Sequence, residues 1–168
     1  QTIVVVKDAD LGTDTVSWTR DNVYHLDGYV ILESGGLLNI EAGTVIKGLA
    51  TPSTGDISSA LIIARGAKIN ARGTADQPII FTAEFDDVTD PSDLTKNDRG
   101  LWGGVLILGS GIVGVNTGLF NVEGIPSTEG RAEYGGTNND DNSGVLKYVS
   151  IRHGGSKLEA NNEINGLT

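Results

Sequence analysis

The chain has 168 residues, of which 24 are Gly and 4 Pro; 38% are hydrophobic, none is Cys or Met, and 12 basic against 22 acidic residues give a net charge of −10. One domain is the default at this length, and the charge disfavours binding to nucleic acid or an anionic leaflet. Glycine without a Gly-X-Y period excludes collagen, zero Cys excludes disulfides, thiolate metal sites and cysteine nucleophiles, and no apolar run approaches the roughly 18 residues a membrane span needs.

In chain order, residues 1–28 stand apart from the rest of the chain. They hold a short apolar strand, Thr2 to Val6, and the amphipathic stretch Trp18 to Leu26, which together predict an N-terminal cap. A repeat begins at residue 29. The run Gly35-Gly36-Leu37-Leu38-Asn39-Ile40-Glu41-Ala42-Gly43-Thr44 aligns with Gly66-Ala67-Lys68-Ile69-Asn70-Ala71-Arg72-Gly73-Thr74 after one residue is dropped. The strands on either side match as well: Val30-Ile31-Leu32 with Leu61-Ile62-Ile63, and Thr44-Val45-Ile46 with Pro78-Ile79-Ile80-Phe81. The unit of about 31 residues falls in the solenoid range and contains three short strands.

Alternation sets Leu38 and Ile40 on one face with Asn39 between them, and Ile69 and Ala71 on one face with Asn70 between them, which is the period of a strand rather than a helix. A third rung is predicted to begin at Leu101 and a fourth at Val145. Two polar insertions, 84–99 and 127–143, must leave the body as loops. Equivalent strands that recur in one direction cannot form hairpins, so they stack in parallel, one rung on the next. The expected fold is therefore all-β: a right-handed parallel β-helix over 29–168 with an N-terminal cap at 1–28.

Several runs carry a family resemblance: Ile40-Glu41-Ala42-Gly43-Thr44-Val45-Ile46-Lys47-Gly48, Asn97-Asp98-Arg99-Gly100-Leu101-Trp102-Gly103-Gly104, Glu123-Gly124-Ile125-Pro126, Asn142-Ser143-Gly144-Val145-Leu146, Arg152-His153-Gly154-Gly155 and Asn162-Glu163-Ile164-Asn165-Gly166-Leu167-Thr168. From about Trp18 onward the chain resembles secreted β-helical repeat proteins of the Bacteroidota. The resemblance implies export to the cell surface or medium, as a lipoprotein or type IX secretion cargo, and implies no particular activity. In that family the β-helix continues past the Asn-Glu-Ile-Asn-Gly-Leu-Thr segment, so the chain is expected to be an N-terminal portion, truncated at its C-terminal end. Its last rung would then be covered by the rest of a longer chain or by self-association, as in a filament.

Candidate chemistry is sparse. Six carboxylates fall between Glu84 and Asp98, and hard oxygen ligands at that density suit Ca²⁺, with Asp86, Asp87, Asp90 and Asp98 as the candidate ligands. The order is not that of an EF-hand, and a solvated acidic loop is the competing reading. Asn138-Asn139-Asp140-Asp141-Asn142 is a weaker candidate, because Asn and Asp also suit turns. Tyr134, before Gly135-Gly136, is the candidate for carbohydrate stacking. Trp102, between Leu101 and Gly103, reads as core or corner packing.

No catalytic residue emerges. His25 and His153 lie far apart in sequence without a nucleophile elbow near either. Arg99, Arg131 and Arg152 sit in no lyase signature, and Arg152 and Lys147 read as outward positions beside an apolar strand. Gly103-Gly104 and Gly109-Ser110-Gly111 lack the Lys-Ser/Thr of a phosphate loop. The expectation is a secreted or surface-exposed structural or adhesive β-helix without a cofactor. The alternative is a carbohydrate-binding or polysaccharide-degrading one that contacts surface polysaccharide, with its site partly beyond residue 168.

Overall fold

The computed structural model describes residues 1–159 and 162–168. Short strands follow one another around three sheets. Thr2–Val6 (β1) is followed by a 3-10 turn, Asp8–Asp10, and then by Thr15–Trp18 (β2), Asn22–Leu26 (β3) and Tyr29–Leu32 (β4). Leu37–Ile40 (β5), Val45–Gly48 (β6) and Ala60–Ile63 (β7) make the next turn; Lys68–Arg72 (β8), Ile79–Ala83 (β9) and Gly104–Ile107 (β10) make the one after. A two-strand excursion, Phe120–Asn121 (β11) and Glu133–Tyr134 (β12), precedes Gly144–Lys147 (β13) and Val149–Ile151 (β14). Lys157–Glu159 (β15) and Asn162–Glu163 (β16) form a further antiparallel pair.

Sheet A has the order β1-β3-β6-β9-β14, sheet B β10-β7-β4, and sheet C β13-β8-β5-β2. Every pairing within these three sheets is parallel. This is a parallel β-helix, and its register is that of the repeat: Leu38 opposes Ile69, Ile40 opposes Ala71, Val30 opposes Leu61, and Ile46 opposes Phe81.

Residues 1–28, set apart by the sequence pattern, enter the sheets. β1 pairs with β3 from Thr2↔Asn22 to Val6↔Leu26, β2 pairs with β5, and β3 pairs with β6. The strands of residues 1–28 therefore belong to the same ladders as the repeat, with β1 outermost in sheet A. The repeat is hard to see here because Trp18 and Tyr24 stand where later turns carry aliphatics. Their rings stack inside the helix, with centroids 5.0 Å apart. The Tyr24 hydroxyl accepts a hydrogen bond from the Thr19 amide at 2.8 Å.

Two apolar cores flank sheet B. The inner one runs through the centre of the helix and contains Leu26, Leu38, Ile46, Leu61, Ile69, Phe81 and Trp102. Trp102 is fully buried, and its Nε1 donates to the Arg152 carbonyl at 2.8 Å. Its ring lies against Gly48, where any Cβ would overlap it, so a large residue just ahead of β10 fills the space that a small one on β6 leaves.

The second core lies outside sheet B, where Ile31, Ile62 and Leu106 are covered by Val122, Ile125 and Ala132. This corrects the extent of the second insertion. The chain leaves the rungs after β10, well before residue 127, and the segment through β11 and β12 packs back as a lid on sheet B. A strand buried on both faces needs a continuous apolar run rather than alternation, and Ala60-Leu61-Ile62-Ile63-Ala64 supplies one.

Arg131 fastens this lid. Its guanidinium reaches Asp8 Oδ2 at 2.9 Å, Glu33 Oε1 at 2.9 Å and Glu129 Oε2 at 2.7 Å, so one side chain ties the excursion to the chain's first turn and to the end of β4.

Candidate functional site

Alternation along sheet A sends every second side chain outward. Stacking aligns those side chains in two columns. One runs Ile3, Val23, Val45, Ile80 and Ser150; the other runs Val5, His25, Lys47 and Thr82 and continues to Arg152. The first insertion does not leave directly from β9. The Asp86 amide donates to the Ala83 carbonyl at 3.1 Å, and Lys47 Nζ donates to the Asp86 carbonyl at 2.7 Å and the Glu84 carbonyl at 3.5 Å. The segment 84–89 thus stands as a wall against the sheet. Between wall and sheet lies a groove of about 460 Å³ with Val23 and Val45 in its floor, and Lys47, Glu84, Phe85, Asp87, Val88 and Thr89 around it. Phe85 is 64% exposed.

Buried polar groups hold the wall in place. The Thr82 hydroxyl donates to Asp86 Oδ2, and the Arg152 guanidinium lies 3.8 Å from the same oxygen. Both Thr82 and Asp86 are buried. Arg152 Nε also donates to Ser150 Oγ at 3.0 Å, so this outward arginine is committed to its neighbours. Burial and the nearby Lys47 ammonium push the His25 pKa below the ordinary imidazole value against the opposing pull of Glu84. Lys147, the other outward cation expected beside this strand, is exposed and sits over the Tyr148 ring, 5.6 Å from its centroid.

The four carboxylates considered for Ca²⁺ are placed separately. Asp86 faces Thr82 and Arg152. Asp87 accepts from the Thr89 amide and hydroxyl at 3.0 and 2.7 Å, Asp90 from those of Ser92 at 2.9 and 2.6 Å, and Asp98 from those of Thr95 at 2.7 and 2.8 Å. These bonds, through the side chains of Thr89 and Ser92 and the amide of Thr95 first, hold the three carboxyls below the usual carboxylate range. Each closes its own local turn. Among the described residues, no group of three or more His, Cys, Asp or Glu side chains converges in a metal-holding arrangement.

In the second loop, Asp141 Oδ2 accepts from the Ser110 amide at 2.8 Å and Asn139 Oδ1 from the Ile112 amide at 2.9 Å, so this stretch pins the neighbouring segment. His153 Nδ1 hydrogen-bonds the Asp98 carbonyl and ties the end of the first insertion to the last turn, far from His25.

Tyr134 is half-buried and tilted against Phe120, with ring centroids 5.8 Å apart. It lines a second cleft, of about 310 Å³, with Glu123, Glu163, Asn165 and Thr168. That cleft lies beside the parallel bridge that Leu167 makes to β10, Val105↔Leu167, with the Ile107 amide donating to the Thr168 carbonyl at 2.9 Å.

The groove on sheet A is not visible in the sequence because its parts are scattered. Alternation places Lys47 and Thr82 outward, and the match of β6 with β9 sets them side by side. Nothing in the pattern shows that 84–89 folds back or that Phe85 stands beside them.

The family model for the pectate-lyase like beta helix domain matches residues 11–168. No curated protein matches the chain, and no solved structure does. The matched span starts at the first turn and includes the rungs and both insertions, so the chain belongs to the family of pectate-lyase-like beta-helix domains.

Proposed function

We propose that the chain is a saccharide-binding β-helix that acts as a structural or adhesive element at the cell surface or in the medium. The observation that carries this reading is the groove on sheet A. An exposed phenyl ring at Phe85 stands beside an aliphatic floor and a row of hydrogen-bonding side chains, the combination that binds the apolar face and the hydroxyls of a sugar. The rigid rungs support it, because Val23, Val45 and Lys47 sit on strands paired on both sides. The location is carried by the resemblance to exported β-helical proteins.

The reading is tested by binding to a panel of immobilised plant and bacterial polysaccharides, with Phe85→Ala beside the parent chain. Removal of the ring should cost about 1 kcal/mol or more, roughly a fivefold to tenfold loss of affinity, without a change in melting temperature. Retention by no member of the panel contradicts the proposal.

A further inference from the structure

The charge distribution in the groove points to the class of sugar, an inference that rests on the saccharide-binding reading. We propose that the groove takes a non-acidic pyranose chain and rejects uronate chains. Among the described residues, Lys47 is the only basic side chain lining it, and its ammonium is engaged by the carbonyls of Glu84 and Asp86. Arg152, the next cation in the outward column, faces Asp86 and Ser150. Asp86 is matched by Arg152 and Thr82, which leaves the carboxylates of Glu84 and Asp87 in the lining, on a chain whose net charge is −10.

A uronate presents one carboxylate per sugar. To bind here it would need a cation released from its present partner or an added counter-ion, with like charges beside it in a partly enclosed groove. A non-acidic sugar meets complementary chemistry. Carboxylate oxygens such as those of Asp87 accept from sugar hydroxyls, while Phe85 and the valines of the floor pack against C–H faces.

The test uses isothermal titration of the full chain with cellohexaose, xylohexaose, chitohexaose and hexagalacturonate, each with EDTA and with Ca²⁺. At least one non-acidic hexasaccharide should bind ten times or more tighter than hexagalacturonate under both conditions. The double variant Glu84→Gln/Asp87→Asn, checked for an unchanged melt, should narrow that ratio. Phe85→Ala should weaken the non-acidic ligand. Hexagalacturonate binding as tightly as the best non-acidic chain, or alone, overturns this inference and leaves the saccharide reading standing. If none of the four binds, both fall.

Discussion

Asn70 Nδ2 donates to Asn39 Oδ1 at 3.1 Å across one turn of the helix, and the two residues are register partners in β5 and β8. Asn70 Oδ1 in turn accepts from Arg72 Nε at 2.9 Å. Each net hydrogen bond of this kind contributes about 0.5–1.5 kcal/mol. Asn70→Ala should therefore lower stability by about 1–2 kcal/mol in chemical denaturation. A double-mutant cycle with Asn39→Ala should return a coupling of roughly 0.5–1 kcal/mol; strict additivity would show that the ladder contributes nothing.

The inner column beside it is less tolerant. Ile69 is buried between Leu38 on one side and Gly144 on the other. Ile69→Asp would place an unpaired charge among apolar neighbours and should prevent folding. Gly144→Ala at the same level should also be damaging. Its φ is +123°, and a Cβ there would overlap the Ile69 carbonyl oxygen. A melt of either variant within a few degrees of the parent would contradict the register.

This pair also shows which features the sequence made legible. Leu38 with Ile69 and Asn39 with Asn70 follow from a repeat in which both the spacing and the alternation agree. The lid of Val122, Ile125 and Ala132 over sheet B does not, because its contacts come from a segment with neither helical nor strand period. Asp86 is misleading for a related reason. In sequence it is one of six acids in a run, while in the fold it is the buried one of the six, bonded to Thr82 four positions back and facing Arg152 from the last rung.

Arg131 should act on the lid rather than on the rungs. Arg131→Ala leaves Asp8, Glu33 and Glu129 without their shared partner. Because the guanidinium is about a third exposed, the loss should stay near 1–2 kcal/mol. Amide exchange in residues 120–134 should accelerate strongly while β5 to β9 stay protected. Uniform acceleration through the rungs would show that the lid and the helix open as one unit.

Asp27 gives the fold an acid-sensitive point. Burial alone would raise its pKa, but hydrogen bonds from the Ser53 hydroxyl and amide, together with Lys7 at 3.4 Å, outweigh burial and lower it below 3.8. A carboxyl with a lowered folded pKa contributes stability that is complete above its unfolded value and disappears as the pH falls through the folded one. The stability difference between the parent and Asp27→Asn should be widest near about pH 6 and should close as the pH drops below 3.8. Urea midpoints across that range measure it, and a pH-independent gap would assign the effect to packing alone.

The assignment of the sheet A groove is tested most directly by chemical-shift mapping on the isotope-labelled chain, titrated with the tightest-binding hexasaccharide. Amide shifts should gather at Val23, Val45, Lys47 and residues 84–89, with little change on sheet C. Shifts centred on Tyr134, Glu123 and Glu163 instead, or spread evenly over the surface, would contradict it.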